Sequence, residues 1–420
     1  MFRITVILTV LVTVLAIMMS ACAKKTAAVE KNLEIFSWWT TGGEAAGLNK
    51  LYGLYNAQNP AVKVVNATLV GGDTSTARAV LESRMRGGDP PDTFQVYVGR
   101  ELIDSWIVAG KMENLDGLYQ SEGWDQLFPQ GLLDISSYQG HYYSVPVDVY
   151  RANILWYNKQ TFATLGITDT LTFDGWFTMA DKCKAAGLPA LALGDRGGAS
   201  ASVNLFETIL IGNLGADGYR GLWTGATLWT DPKVTTSLEI FKKMLAYINP
   251  DHSTLSWDQA NQLVIDGKAC TTVMVDWVDA NNLSKKFTSS GWAPAPNNAG
   301  IYDALSDSFG LPKGARDPDN SKAWLKLIGS KVGQEAFNPV NGSVCTRTDC
   351  DPKLFGPYLQ SSLQDWSKDT IVPSLAYGAA VDPSWLAAIS DTIHIYVTSQ
   401  DVAITQAALL KACTDAKICK

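Results

Sequence analysis

Apolar and polar positions alternate with two different periods along the first hundred residues that follow the amino-terminal segment. Short apolar runs predict strands at residues 33–37, 62–69 and 92–98. Between them, apolar residues three and four positions apart predict helices at residues 44–58 and 74–86. Strands that alternate with helices in this order imply right-handed crossovers, and therefore a parallel sheet with helices on both faces.

The pattern changes near residue 137 and is mostly helical afterwards. A turn at residues 138–143 predicts a hairpin, and the runs that follow it predict strands at residues 144–148 and 154–157. Later strands are predicted at residues 269–275 and 308–311. Helices are predicted at residues 159–166, 173–187, 200–214, 233–248, 256–266, 319–337, 354–368, 383–399 and 402–415.

This layout predicts two lobes between which the chain crosses more than once. The first lobe is expected to contain residues 33–145 plus 270–312, and the second residues 146–269 plus 313–420. Crossings are predicted near residues 140–155 and 295–312, where prolines and glycines cluster in the second range. Such crossings serve as hinges when two lobes close on a ligand.

The amino terminus reads as a targeting segment. Arg3 precedes an apolar run from Ile4 to Met18, which is short for a membrane span, and small residues then lead to Cys22. This arrangement resembles a bacterial lipoprotein signal, with a signal peptide at 1–21, lipidation of Cys22 and a tether at 22–32. Ordinary cleavage near Ala23, or an uncleaved anchor, remain the alternatives. The protein is therefore expected to be exported and lipid-anchored to a membrane, facing the periplasm or the extracellular space.

Composition narrows the classes of function. The chain has 420 residues and a formal charge of −7, which argues against a nucleic-acid partner. Fourteen Trp and fifteen Tyr against three His favour an aromatic binding surface over a histidine-based metal site. Sequence motifs of common hydrolases, nucleotide-binding proteins and metalloproteases are absent, so neither an enzyme nor a cofactor or metal site is expected. A glycosidase pair of carboxylates is not excluded by their number.

Six cysteines follow Cys22, an even number that permits three disulfides in an oxidising compartment. Fifteen pairings are open at this point. Cys345 and Cys350, and likewise Cys413 and Cys419, are near enough in sequence to form small loops.

Aromatic residues recur beside polar ones at the predicted strand ends. The adjacent pair Trp38-Trp39 follows the first strand, and Asp276-Trp277 follows a later one. Ligands of open α/β sheets bind outside the carboxyl ends of the strands, so the placement of Trp38-Trp39 lets both indoles turn toward a crevice. Carboxylates and amides that bind hydroxyls, together with aromatic faces that cover C–H groups, suit a hydroxyl-rich ligand. The alternative is that each aromatic residue is simply part of the core.

Several segments carry a resemblance to a known family. They are LEIFSWW at 33–39, RMRGGDPPDTFQV at 84–96, LSDSFGLPKG at 305–314, SVPV at 144–147, GWAP at 291–294 and FNP at 337–339. The chain resembles, from about residue 33 to about 400, the glucose/galactose-binding proteins among the family 1 extracellular solute-binding proteins of bacterial ABC importers. The resemblance implies a class II-like periplasmic-binding-protein fold, with two α/β lobes that close on one sugar.

The resemblance also implies a set of ligand-binding residues. In addition to the pair Trp38 and Trp39, the matching positions are Glu44, Gln95, Tyr97, Asp148, Trp257, Trp277, Asp307, Asn341 and Tyr377. Tyr97 and Tyr377 stand where the glucose/galactose pattern has histidines, and Asn341 stands where it has a lysine. All three can still form hydrogen bonds, but the changes leave the identity of the sugar open.

The sequence therefore predicts a monomeric sugar-binding lipoprotein without catalytic activity. It is expected to capture a monosaccharide, glucose or a related hexose, and to deliver it to the transmembrane permease subunits of an ABC transporter. An exported sugar-active hydrolase and a sugar sensor that signals to a receptor remain as alternatives.

Overall fold

The computed structural model describes residues 31–40, 42–67, 74–168, 170–196 and 200–419. The predicted signal peptide and the predicted lipidation site Cys22 lie outside the described residues, as does the tether up to residue 30. The predicted tether extends to residue 32, whereas Lys31 and Asn32 already belong to a strand, since they pair with Val62 and Lys63.

The strands of the described residues follow one another as short elements. They are β1 Lys31–Phe36, β2 Val62–Asn66, β3 Thr93–Tyr97, β4 Ser137–Tyr138, β5 His141–Tyr142, β6 Ser144–Pro146, β7 Tyr150–Arg151, β8 Ile154–Asn158, β9 Thr271–Val273, β10 Ser290–Pro294, β11 Ile301–Leu305, β12 Asp307–Gly310 and β13 Thr370–Pro373.

The α-helices occupy most of the remaining chain. They are α1 Gly42–Gln58, α2 Thr74–Gly87, α3 Arg100–Leu102, α4 Asp116–Glu122, α5 Trp124–Leu127, α6 Gln130–Ser136, α7 Lys159–Leu165, α8 Phe173–Ala185, α9 Ser200–Thr224, α10 Pro232–Leu245, α11 Trp257–Ile265, α12 Trp277–Ser284, α13 Pro318–Gly329, α14 Lys331–Asn341, α15 Pro357–Trp366, α16 Pro383–Ser399 and α17 Val402–Asp415. A π-helical turn, Ile103–Ile107, extends α3, and α9 is interrupted at Gly215.

The first lobe is built on a five-stranded sheet in the order β2-β1-β3-β12-β6. Its first three strands are parallel, as the alternation of strands and helices predicts. The late strand β12 enters antiparallel to both β3 and β6. Leu33 and Ile35 of β1 and Phe94 of β3 are fully buried, so this sheet forms the centre of the lobe.

Two glycines one helical turn apart determine how the first lobe packs. A Cβ on Gly47 of α1 would lie 2.7 Å from the ring of Phe337 in α14, and a Cβ on Gly43 would lie 2.6 Å from the carbonyl oxygen of Val340. Only residues without side chains allow α1 and α14 to approach this closely. The approach brings Glu44, which lies between the two glycines, next to the end of α14.

The second lobe contains two three-stranded sheets, β10-β8-β9 and β13-β11-β7. The strand pairing differs from the predicted lobe boundaries. The residues of β9 and β10 fall in the range predicted for the first lobe, but both strands are antiparallel partners of β8. Conversely, α13 and α14 were expected with the second lobe, but they pack against β6 and α1. The physical reason is that hydrophobic periodicity identifies a strand without identifying the strand it will pair with.

Within the described residues, the chain passes between the lobes at three places. Residues 147–149 connect β6 to β7, and the single residue Ser306 connects β11 to β12. Both lie within the ranges predicted for crossings. The third passage lies between α14 and α15, and in this segment Val344 pairs with Val149 through backbone hydrogen bonds of 2.9 and 3.0 Å. The first and third passages are therefore joined to each other.

Three disulfides connect Cys183 to Cys270, Cys345 to Cys350 and Cys413 to Cys419. The last two close the small loops that the sequence spacing permits. Cys183 and Cys270 are fully buried and join α8 to the residue before β9. Within the part of the chain that the structure describes, no helix combines the length and apolar composition needed to cross a membrane.

Candidate functional site

A buried chain of hydrogen bonds connects the end of β1 to the start of β12. Gln95 of β3 accepts at Oε1 from the Ser37 hydroxyl, over 2.6 Å, and from the Trp38 backbone N–H, over 3.1 Å. Its Nε2 donates to Oδ1 of Asp307 over 2.6 Å. Gln95 is completely buried, and Asp307 is 3% exposed. The predicted residues Trp38, Gln95 and Asp307 therefore lie side by side.

Asp148 lies in the first passage between the lobes and joins the same cluster. Its Oδ1 accepts from the backbone N–H of Asp307 over 2.8 Å. Its Oδ2 accepts from Nδ2 of Asn341 over 3.4 Å, and that Nδ2 also donates to the Tyr150 hydroxyl over 2.6 Å. Asn341 is 5% exposed, and its Oδ1 has no hydrogen-bond partner among the described residues. An unpaired acceptor remains beside the Asp148 carboxyl group.

Both carboxyl groups are shifted toward their neutral form. Burial raises the pKa of Asp148 well above the ordinary range, and the charges of Asp307 and Glu44 raise it further. Burial likewise raises the pKa of Asp307, and the hydrogen bond from Gln95 opposes that rise. Ionisation of this pair is therefore unfavourable unless a ligand supplies hydrogen-bond donors or positive charge.

Glu44 adds a third carboxyl group to this region. It is half-buried on α1, and burial raises its pKa to about 7. Its negative charge raises the pKa of Asp148, Asp307, Tyr97 and Tyr150. Glu44 is therefore electrostatically close to both aspartates.

Three aromatic side chains surround Trp277 at the start of α12. Its ring centroid lies 5.3 Å from that of Tyr377, 5.9 Å from Tyr150 and 6.0 Å from Trp257. The indole N–H of Trp277 is buried and has no hydrogen-bond partner among the described residues. Tyr377 donates from its hydroxyl to Sδ of Met274, 3.9 Å away. Tyr150 connects this aromatic group to the carboxyl cluster through Asn341.

The adjacent tryptophans point in different directions, contrary to the expectation that both turn toward the crevice. Trp38 lies 5.6 Å from Tyr97, edge to face. Trp39 lies 4.8 Å from Phe337 and 5.8 Å from Phe309, inside the first lobe. Neighbouring residues on extended backbone face opposite sides. Trp39 follows this rule and faces the core, although it lies beyond the end of β1.

Three residues near these groups were not predicted to bind ligand. Arg78 of α2 lies over the rings of Trp38 and Tyr97, at 5.4 and 5.1 Å, and forms an ion pair of 2.9 Å with Glu101. Tyr150 follows Asp148 by two positions, a spacing that puts two side chains on one face of extended backbone, so this signal was available. No local pattern in the sequence marks Arg78 or Glu101.

Most of the predicted residues thus form one connected group that involves both lobes and the first passage. Trp39 is the exception, because its ring packs in the core. A separate cavity of about 590 Å³ is lined by residues that include Arg100, Arg220, Trp223 and Trp385, and none of the eleven predicted residues lines it. Among the described residues, no group of three or more His, Cys, Asp or Glu is arranged to hold a metal ion.

Hydroxyl-rich ligands match the chemistry of the connected group. Its carboxyl groups and its free amide oxygen can accept hydrogen bonds, its indole N–H can donate one, and its aromatic rings offer flat apolar surface. Hydrogen bonds from the protein hold the carboxyl groups of Asp148 and Asp307 in place. Because these groups are fixed, the arrangement is suited to binding and orienting a small polar molecule.

Sequence comparison identifies related proteins over nearly the whole chain. Residues 37–335 match the family model described as bacterial extracellular solute-binding protein. The chain is 36% identical to an uncharacterized ABC transporter extracellular-binding protein of Pyrococcus horikoshii, over 90% of this chain and 86% of that protein. It is 33% identical to a probable sugar-binding periplasmic protein of Mesorhizobium japonicum, over 93% of this chain and 95% of that protein.

Solved structures share the two-lobe fold. The bacterial solute receptor AcbH, described as having an exclusive preference for β-D-galactopyranose, superposes with a TM-score of 0.81 at 19% identity. The superposition covers 92% of this chain and 99% of that one. The match to the family model and the relatives above 30% identity agree with this fold, and the chain belongs to the bacterial extracellular solute-binding proteins of ABC transporters.

Proposed function

We propose that this protein captures a monosaccharide between its lobes and delivers it to the permease of an ABC importer. The observation that carries the proposal is the connected group itself. Carboxyl groups from the hinge, Asp148 and Asp307, lie next to the aromatic residues around Trp277. The sugar-binding relative from Mesorhizobium japonicum supports the class of ligand.

The ligand we favour is glucose or a related hexose. The family resemblance supports this choice, and so does the number of hydrogen-bonding groups, which suits one ring with several hydroxyls. We further propose that the protein is exported as a monomer and anchored by a lipid on Cys22. Anchoring would keep it close to the transmembrane subunits that receive the sugar, and stable anchoring requires more than one acyl chain.

Binding explains the carboxyl groups better than hydrolysis does. A glycosidase needs one carboxyl group free to protonate the leaving oxygen and a second free to act as base or nucleophile. Here both oxygens of Asp148 accept hydrogen bonds from the protein, and Oδ1 of Asp307 accepts from Gln95. Release of chromophore from a panel of chromogenic glycosides would instead support an enzyme.

The experiment is a panel of mono- and oligosaccharides, screened by thermal shift and followed by calorimetric titration. A monosaccharide at about a hundred times its dissociation constant should stabilise the protein by about 2.7 kcal/mol. Asp307→Asn should weaken binding at least tenfold, about 1.4 kcal/mol. The control is Asp217→Asn, which removes the same charge from a fully exposed side chain. Stabilisation by oligosaccharides alone would refute the monosaccharide assignment, and no response to any saccharide would refute sugar binding.

A further inference from the structure

Acidic side chains predominate around the proposed ligand site, and a cationic ligand would favour their ionised forms. In addition to burial, the charges of Asp307 and Glu44 raise the pKa of Asp148, and no cation among the described residues lowers it. Tyr150 feels Asp148, Glu44 and Asp307, which are again all acidic. The carboxyl groups of Asp148, Asp307 and Glu44 therefore act on the same region of the site. No lysine, arginine or histidine of the described residues offsets their effect at Asp148.

The cation that acts on Asp307 is already engaged with another carboxyl group. Arg78 opposes the negative charge at Asp307, but its guanidinium forms the ion pair with Glu101 and lies over the rings of Trp38 and Tyr97. One arginine is therefore shared between Glu101 and Asp307. Within the described parts of the chain, no cation is paired with Asp148 or Glu44.

An independent observation points to a ligand that donates hydrogen bonds at the same place. Oδ1 of Asn341 is an acceptor in a side chain that is 5% exposed, and it has no partner among the described residues. Nδ2 of the same amide lies 3.4 Å from Oδ2 of Asp148. An ammonium group has three donors and no acceptor, so it can pair with the amide oxygen and the carboxylate together.

The aromatic residues favour the same group. Tyr150 accepts a hydrogen bond from Asn341, and its ring lies 5.9 Å from that of Trp277, which in turn neighbours Tyr377 and Trp257. Aromatic faces attract cations, and rings combined with carboxylates recur at sites for organic ammonium groups. A neutral hydroxyl would gain neither this attraction nor the neutralisation of the carboxyl groups.

We propose that the preferred ligand is an amino sugar, with its ammonium group between Asp148, Asn341 and the ring of Tyr150. This inference rests on the proposed function, because it specifies which class of monosaccharide the same site takes. The sugar ring would lie toward Trp277 and Asp307.

The test compares three probes by calorimetric titration at about pH 7, where an amine with a pKa of about 8 is mostly protonated. Glucosamine should bind at least tenfold more tightly than glucose. N-acetylglucosamine, whose nitrogen is uncharged, should lose this advantage. Equal or weaker binding of glucosamine relative to glucose would overturn the inference while leaving the proposed function intact. If neither these probes nor any other saccharide binds, the proposed function itself fails.

Two variants locate the preference. Asp148→Asn should reduce the ratio of the glucosamine and glucose affinities to about one, whereas Asp217→Asn should leave that ratio unchanged. Since Asp148 is fully buried and its replacement can affect folding, Glu44→Gln on the half-buried face of α1 serves as the second variant and should reduce the ratio at least threefold. A ratio that stays at the wild-type value in both variants would contradict the assigned position of the ammonium group.

Discussion

Nε2 of Gln95 donates a hydrogen bond of 2.6 Å to Oδ1 of Asp307, and this bond links the early strand β3 to a strand that arrives more than two hundred residues later. The same amide accepts from Ser37 and from the backbone of Trp38. One glutamine side chain thus fixes the relative positions of an aromatic residue and a carboxyl group in the proposed site.

Replacing this glutamine should impair both stability and binding. Gln95→Leu leaves the Ser37 hydroxyl, the Trp38 N–H and the Asp307 carboxyl without their partner, at about 1–3 kcal/mol for each buried group left unpaired. We expect the midpoint of urea unfolding to fall and the sugar affinity to drop at least tenfold. The matched control is Gln126→Leu, on an exposed position of α5. A variant with wild-type stability would contradict the role of this amide.

Substitution of Trp39 should mainly lower the stability of the fold, whereas substitution of Trp38 should mainly weaken sugar binding. Trp39→Ala removes a ring that packs between Phe337 and Phe309, so it should lower the free energy of unfolding by about 3–5 kcal/mol. Trp38→Ala should cost less stability, because its ring contacts Tyr97 and Arg78 near the site, but it should weaken sugar binding at least tenfold. Denaturant unfolding and calorimetric titration of both variants measure the two effects. The reverse pattern would place Trp39, and not Trp38, at the ligand.

Most of the secondary structure of the first lobe could be predicted from the sequence. The order of strands and helices in the first lobe follows from hydrophobic periodicity, and the predicted bounds differ from the observed ones by a few residues. The long late helix predicted at 319–337 is two helices, because Ser330 ends α13 and caps α14 through the Gly333 N–H. Short elements such as α4 and β13 have too few residues to show a period.

The site was less accessible to prediction than the secondary structure. Residues beside strand ends, such as Asp148 and Asp307, are predicted as ligand-binding because the family resemblance marks them. Their connection through Gln95 and the position of Arg78 depend on contacts between distant segments. The direction of Trp39 depends on the core that Phe309 and Phe337 provide. Such relations arise only when the chain is folded.

Glu44 should make stability depend on pH. Burial raises its pKa to about 7, so the folded protein binds this proton more tightly than the unfolded chain does. The contribution is therefore fully present below the unfolded pKa of about 4.3 and is lost as the pH rises through about 7. As the pH rises through this interval, the free energy of unfolding of Glu44→Gln should increase relative to that of the wild type by about 1–3 kcal/mol. Urea unfolding at several pH values measures the difference.

The control for this measurement is Glu82→Gln on α2, whose side chain is 50% exposed. The stability of this variant relative to the wild type should not rise over the same interval. A parallel rise in both variants would show that general charge repulsion, and not the burial of Glu44, causes the effect.

Gly342 should report on contact between the lobes. It follows α14 with a φ of 90°, and a Cβ there would lie 3.0 Å from Cβ of Ala280 in α12 of the second lobe. Gly342→Ala should therefore weaken sugar binding, because the lobes cannot approach as closely, and should leave a larger radius of gyration in X-ray scattering with saturating sugar.

Gly123→Ala provides the matched control for backbone strain. Gly123 has a φ of 67° at the end of α4, and a Cβ there would meet nothing within 4 Å. Both variants should lose about 1–2 kcal/mol of stability from the left-handed backbone. Only Gly342→Ala should lose affinity, and an equal loss in Gly123→Ala would contradict this explanation.

The single-residue passage at Ser306 has a consequence for the order in which a ligand is captured. Ser306 separates β11 from β12 and donates to the carbonyl oxygen of Asp148, so the pivot of any opening motion passes close to both aspartates. Points near a pivot travel little, while points far from it sweep through large arcs. If the proposed site is correct, we expect Asp148 and Asp307 to keep their relative positions in the open protein and to contact the ligand first. We then expect Trp257 and Trp277, which belong to the second lobe, to cover the ligand when the lobes close.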